Sequence, residues 1–539
     1  MQQANESTGQ SEVRSPRRAR THLRLDIVLV LLIGVMAECA HFGWRDGRPI
    51  LNADSAQYVD AAQALLSPDR AANFSLRKPG YPFMLAGLAL LTGDMSWSPL
   101  ALNHFLLGLL PLAAYGFAAI MLSRWAGWLA AILTIARLQT FVPGERIMSE
   151  APYMFLLSFG LLAAVIAISR APRAARAYLL SAGVLLAGAW LVRGVAIVPI
   201  AAVLACFAWF YRSEPRRIVR LSLCLIVPLA GVALFECGLN YANQGRFRTS
   251  TGSFGLMMMM RTRHMQGLPM PQGDTARRAL ALLPERDPDD AYRASELDTW
   301  VARYRAIHDH GLDEWETDAL MRETALQIVA EHPFEFLRCS ADIFGRHLLR
   351  RDDLRFDRHV PLAHRYPCVL HVTGADDPDF EWNWWTYWGL PHRSVEDSRR
   401  LALNMRAVAE VRAPFAQTEP LPTLRYLSMT PAVSNAARML RDIAPIWPGL
   451  ALIVLVILGA NRAGCALIAL AYVLDAGLIS LCCPSEMAAM RYQSIWMVTD
   501  TALTGALLVV PFRLVWSRLK TGEWCRLTRR FTGATLRPI

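Results

Sequence analysis

Residues 52–82 read NADSAQYVDAAQALLSPDRAANFSLRKPGYP, and the rest of the chain is arranged around them. They follow the first strongly apolar segment. Asn52, Asp54 and Ser55 supply capping side chains ahead of a helix whose apolar face is Tyr58, Ala61, Ala62 and Leu65. Ser67-Pro68-Asp69 breaks that helix. The return leg closes on Arg77-Lys78-Pro79-Gly80-Tyr81-Pro82, two cations and a rigid turn, before the apolar run 83–91. A carboxylate at one end and paired cations at the other suit an anionic substrate held beside a general base. A plainer account also fits: Asp54 only caps the helix, and Arg77 and Lys78 answer lipid headgroups. The stretch alone does not choose between them.

Composition narrows the choice. Of 539 residues, 54% are hydrophobic, and the mean hydropathy is +0.25. Polytopic membrane proteins combine those values routinely, and soluble chains of this length do so rarely. The net charge of +11 comes from arginine, since Lys78 and Lys520 are the only lysines. It sits in short loops and tails between apolar runs, so it marks topology and not a nucleic-acid partner. The ten cysteines show no CxxC spacing. Cys39, Cys206, Cys224, Cys237 and Cys465 fall in apolar runs as small core residues, while Cys339 and Cys368 could pair in an oxidising compartment. No histidine arrangement has zinc spacing.

A polar tail, 1–24, ends in arginines, and the first span follows at 25–42. A signal peptide competes for that run, but it lacks a small-x-small cleavage site. Further spans are expected at 99–122, 125–142, 150–169, 178–192, 194–211, 218–239, 445–460, 463–481 and 495–512. The run 81–92 is brief and proline-flanked, as a half-inserted helix would be. The fold class is therefore mainly α: a polytopic membrane protein with about ten transmembrane helices. If the tail is inside, the arginine-bearing loops near 124, 170–176, 212–220 and 462, and the basic tail 513–539, also fall inside, as the positive-inside rule requires. The outside set is then 43–98, 143–149, the turn at Arg193, 241–444 and 482–494. The chain divides into an N-terminal membrane module, 25–240, with its first outer loop at 43–98; an outer domain, 241–444; and C-terminal spans within 445–512.

The outside set gathers the unusual residues. It holds Asp54, Asp60, Arg77 and Lys78, then Glu145, Arg146 and Glu150, then Arg193, and finally Arg491-Tyr492 at the start of the last span. An ionised side chain costs about 2.5–3.5 kcal/mol at the bilayer centre and less near its ends, so each needs water or a partner. Four cationic positions and several carboxylates at the outer mouths of separate spans imply a shared polar cavity. Glu38, Arg137 and Asp475 lie deeper, as structural groups. The outer domain carries 26 Arg against 28 Asp and Glu, and it is near neutral, unlike the inner loops. It is predicted mostly helical, with helices at 296–308, 315–331 and 333–350. Met257–Met260 fits a buried core or a lipid groove. Trp382, Trp384, Trp385, Tyr387 and Trp388 suit sugar stacking or an interfacial anchor equally. The acidic pieces 287–290 and 376–379 match no calcium loop.

The ordered set DSAQYVDAAQALL, RKPGYPFMLAGLALLTG, RIMSEAPYMFLLSFGLL, GAWLVRGVAIVP, HPFEFL and MRY resembles the GT-C membrane glycosyltransferases. Within them it is most similar to the branch of protein O-mannosyltransferases and aminoarabinose transferases. The resemblance runs over 25–211, and more weakly over 240–345 and 485–512. It implies a sugar on a polyprenyl phosphate as donor, and inverting transfer on the extracytoplasmic face of a bacterial inner membrane. The acceptor would be a glycolipid, glycan or protein. It places Asp54 as base or site organiser, and Arg77, Lys78, Arg193 and Arg491 on the donor phosphate. Tyr58, Tyr81, Glu150 and Tyr492 would line the site. GT-C enzymes divide over a divalent cation, so the metal stays open. A carrier-dependent polysaccharide ligase or polymerase is the nearest alternative. A transporter is another, although its polar groups would sit at the midplane.

The topology has a direct test. A cysteine near residue 300, in a background without reactive cysteines, should react with an impermeant reagent in intact cells. Labelling only after the cells are opened would invert the assignment.

Overall fold

The computed structural model describes residues 16–44, 53–69, 71–138, 144, 147–169, 172–265, 267–283, 299, 302–303, 305–307, 309–349, 462–482 and 496–520. No strand occurs among them. The membrane module comprises α1 (Pro16–Trp44), α2 (Ala53–Leu66), α3 (Gly80–Thr92), α4 (Trp97–Met121), α5 (Arg124–Leu138), α6 (Glu150–Ile168) and α7 (Pro172–Val192). A 3-10 turn, Gly194–Ala196, leads into α8 (Ile197–Phe210) and then α9 (Pro215–Gln244). Beyond it lie α10 (Phe254–Met259), continued by a π turn, α11 (Asp274–Leu282), α12 (Glu314–Glu331) and α13 (Pro333–Leu349). The described chain closes with α14 (Arg462–Cys482) and α15 (Met497–Lys520).

Six of these helices carry a segment long and apolar enough to cross a bilayer: Leu23–Phe42, Trp97–Met121, Glu150–Ile168, Ala175–Val192, Pro215–Gln244 and Gly464–Cys482. A rise of 1.5 Å per residue makes about 20 residues match a 30 Å hydrocarbon core. Shorter apolar helices stand at Gly80–Thr92, Gly194–Phe210 and Val498–Val510. The expected count of about ten is thus not reached among the described residues. The span at 445–460 lies outside them, and α5 has only 15 residues, with Arg124 and Arg137 near its ends. Leu223, Ile226, Val227 and Leu234 of α9 are exposed, as are Val28, Leu32, Ile33 and Met36 of α1. Such apolar faces belong in lipid and not in water.

The core lies among α4, α6, α7 and α8, where alanines alternate with Leu107, Leu110, Phe117, Leu157, Leu161 and Phe207. Small residues let membrane helices approach closely. At Gly34 of α1 a Cβ would come 2.4 Å from the carbonyl oxygen of Gly108 in α4, so only glycine permits that crossing. Several polar groups of the bundle find partners on neighbouring helices. Arg124 donates to Asp26 at 2.6 Å, and the Tyr115 hydroxyl donates to the same carboxylate at 2.7 Å. Arg137 stands 3.8 Å from Asp500, and Thr134 bonds Thr501 at 2.6 Å, joining α5 to α15. Cys206 and Cys465 are buried as expected, but Cys39 is exposed on the outer side of α1.

The expected helices at 315–331 and 333–350 appear as α12 and α13, with Pro333 opening the latter. Residues 302–303 and 305–307 are helical within the expected 296–308. Met258, Met259 and Met260 join Leu320, Met321 and Ile328 in a second core, which settles that methionine run as packing. Asp313 and Glu316 form a reciprocal capping box at the start of α12. The tryptophan-rich loop, both acidic pieces and Cys368 lie outside the described residues.

Asp318 of α12 accepts the backbone N–H groups of Gly255 and Leu256, at 2.8 and 3.3 Å, at the start of α10. Burial raises its carboxyl from 3.8 to about 6, against the pull of those two donors. The folded form therefore binds a proton that the unfolded chain has released. That stabilising contribution is whole below about 4 and is lost as the pH rises through about 6. Amide-exchange protection of 254–259 and 314–331 should be higher at pH 5 than at pH 7, and Asp318→Asn should level the two. Equal protection in the wild type at both values would count against it.

Candidate functional site

The described residues among those singled out from the sequence converge on one end of the bundle. Asp54 lies inside the first turn of α2 and is not its cap. Gln57 follows three residues later on the same face. Arg77 pairs with Asp54 through Nη2 and donates Nε to Gln57 at 2.7 Å, so α2 clamps the returning strand of chain. The guanidinium also lies 6.0 Å from the Tyr58 ring centroid.

Lys78 points elsewhere, toward α7 and α9. Its Nζ donates to both oxygens of Glu236 in α9, at 3.0 and 2.8 Å, and stands 3.6 Å above the Trp190 ring of α7. Glu236 further accepts the backbone N–H and hydroxyl of Ser250, at 2.8 and 2.7 Å. Burial pulls the Lys78 ammonium below its ordinary range, and Glu236 acts in the opposite sense. At Gly80 a Cβ would meet the Leu191 carbonyl oxygen at 2.7 Å, so glycine lets the turn after Lys78 rest on the end of α7.

That end of α7 carries Arg193 in an extended residue before the 3-10 turn. Its Nη2 lies 3.5 Å from Glu150 at the start of α6, and its guanidinium 5.9 Å from the Tyr153 ring. Tyr58 shares a hydrogen bond of 3.1 Å with Ser149 and meets Tyr81 edge-on at 5.0 Å. Asp54, Arg77, Lys78, Tyr58, Tyr81, Glu150 and Arg193 thus form one continuous cluster over α2, α3, α6, α7 and α9. Arg491, Tyr492, Glu145 and Arg146 lie outside the described residues.

The three ion pairs differ in access. Side-chain exposure is 23% for Arg77 and 19% for Asp54, 10% for Arg193, but 7% for Lys78 and 0% for Glu236. Arg77 is the most open of the three cations, and Arg193 is almost as buried as Lys78. Glu236 was not foreseen. Its signal was a lone carboxylate in the apolar run VALFECGLN, which has to have a partner. The open question of a divalent cation can be tested at Asp54. Its carboxylate is engaged by Arg77, and among the described residues no group of three ligating side chains includes it.

Lipid-length apolar helices with paired charges at their mouths define a polytopic α-helical membrane protein. The chain is similar to the Archaeoglobus fulgidus oligosaccharyltransferase in the apo form, with 13% identity over 84% of this chain and a TM-score of 0.33. It spans 50% of the length of that protein. It is also similar to ArnT from Cupriavidus metallidurans bound to undecaprenyl phosphate, with 12% identity over 89% of this chain and 78% of that one, and a TM-score of 0.32. No protein-family model and no curated protein sequence matches it.

The sealed pair makes a prediction. Lys78→Met leaves Glu236 buried without its counter-charge and should destabilise the protein by about 3–5 kcal/mol. Adding Glu236→Gln should restore most of the thermal midpoint in detergent. A double variant no more stable than Lys78→Met would show that the pair does not hold α9 to the turn.

Proposed function

We propose that the chain transfers a sugar from a polyprenyl-phosphate carrier to a hydroxyl-bearing acceptor at the extracytoplasmic face. The single observation that carries this is the meeting of Asp54–Arg77 and Arg193–Glu150 at one end of an apolar bundle. The partly open Arg77 with Arg193 behind it suits a phosphate, and the lipid-facing helices beside them suit its prenyl chain. The ordered motifs name the carrier class.

Arg77 and Arg193 are the phosphate ligands in this reading, because guanidinium binds phosphate through two parallel bonds. Lys78 stands behind them and holds the turn. A donor phosphate drawn to Arg77 competes with Asp54 for the same N–H groups, so donor binding loosens the carboxylate that the reaction needs. The acceptor oxygen then attacks the anomeric carbon as the bond to the phosphate oxygen breaks. Its proton passes to Asp54, and the bonding electron pair leaves with the phosphate, where the arginines meet the developing charge. Attack opposite the leaving group inverts the anomeric centre. Tyr58 and Tyr81 form the aromatic wall beside the carboxylate.

Asp54→Asn separates this mechanism from a structural role. Asparagine keeps the shape and loses the charge, and turnover with a prenyl-phosphate sugar should fall about a hundred- to ten-thousandfold while donor binding persists. Arg77→Gln should instead weaken donor binding by roughly ten- to a hundredfold, the loss of one charge-assisted contact. Asp60→Asn is the control, lying about 240° around α2 from Asp54. Near-normal turnover in Asp54→Asn would remove it from the chemistry.

A further inference from the structure

Glu38, His41 and His104 take no part in the cluster described above. Glu38 and His41 are one turn apart on α1 and share a face. His104 stands on the second turn of α4. The crossing at Gly34 and Gly108 lies one turn before Glu38 and one turn after His104. The glycine contact that fixes the antiparallel register therefore also brings Glu38 to His104.

All three side chains are buried, at 1%, 2% and 2% exposure. His104 Nδ1 donates to Glu38 Oε2 at 2.9 Å, and His41 Nδ1 lies 3.6 Å from the same oxygen. One ligand atom from each residue falls within 4.8 Å of the other two. The imidazoles meet edge-on at 5.3 Å, and Phe42 stacks on His104 at 5.0 Å, which holds the rings in place. Glu38 Oε1 and His104 Nε2 are buried with no hydrogen-bond partner.

We propose that these three residues form a zinc site joining α1 to α4. Zinc accepts two imidazoles and one carboxylate at about 2.0–2.2 Å in tetrahedral geometry, which sets neighbouring ligand atoms about 3.3 Å apart. The observed 2.9 and 3.6 Å straddle that spacing. Magnesium and calcium take oxygen ligands, and a donor set dominated by imidazole selects against both. A plain hydrogen-bonded clasp between the helices would account for Glu38 Oε2 and leave Oε1 unanswered in an apolar surrounding, at a real cost. A cation held by Oε2 puts a positive charge beside the whole carboxylate, Oε1 included. The three ligands leave the fourth position of the tetrahedron for water or another donor. The site lies on α1 and α4 and contributes no side chain to the candidate cluster. Its existence does not depend on the donor or the reaction proposed above.

The test uses the full chain without a polyhistidine tag, purified in detergent. Metal analysis should find close to one zinc per chain. After chelation, added Co²⁺ should give the intense visible absorption of a tetrahedral site. Glu38→Gln and His104→Gln should weaken Zn²⁺ binding by more than about a hundredfold, since even outer-shell changes cost ten- to a hundredfold. His41→Cys distinguishes a ligand from a merely structural residue. It should keep zinc and add a thiolate–Co²⁺ charge-transfer band, and it decides the matter if Glu38→Gln does not fold. Zinc content equal to that of His104→Gln, or a Co²⁺ spectrum unchanged in His41→Cys, would overturn the site.

Discussion

A charged side chain buried among apolar helices finds little water, so its position is set by the charge it pairs with. That constraint orders this protein more than any apolar contact does. Lys78 and Glu236 are 158 residues apart in sequence, yet the lysine gives both carboxylate oxygens a donor at 3.0 Å or less. Through Ser250 the same carboxylate draws in the chain after α9, and Thr251 then donates its backbone N–H to the Ser75 carbonyl at 2.7 Å. Trp190 brings the end of α7 beneath the ammonium. One buried ion pair thus fixes the loop before α3, the end of α7 and the outer end of α9, which are the elements that frame Arg77 and Arg193.

Apolar packing supplies proximity without direction, because lipid tails are as apolar as leucine and helices gain little by burying it from them. The register of α1 against α4 comes from two glycines, and that of α5 against α15 from Arg137 with Asp500 and Thr134 with Thr501. Such contacts are specific because they fail at any other offset.

Much of this was legible in the sequence. Apolar runs of span length located the helices. The stretch 52–82 showed its helix, break and rigid turn through Asp54, Pro68 and Pro79-Gly80. What was hidden depended on tertiary pairing. Asp54 stood open between base and helix cap, and its pairing with Arg77, 23 residues away, had no local signal. Glu236 looked like one more residue in an apolar run. The trio of Glu38, His41 and His104 has no motif spacing, since its ligands come from two helices whose register is set by Gly34 and Gly108. Only i,i+3 spacing on α1 was visible, and that pattern is common.

Adjacent cations in one dipeptide take opposite roles for a physical reason. The two side chains leave the turn toward different helices, Arg77 to α2 and Lys78 to α9. Lys78 is sealed, and a buried pair is costly to separate because each partner alone would face a low dielectric. Arg77 stays partly open, and a pair with access to water has a small net worth and can be exchanged. An incoming anion can therefore displace Asp54 from Arg77 at low cost, while Glu236 cannot be displaced from Lys78 without unfastening α9. The fixed pair keeps the turn in place so that the exchangeable one can change partners, and Pro79-Gly80 holds the two side by side.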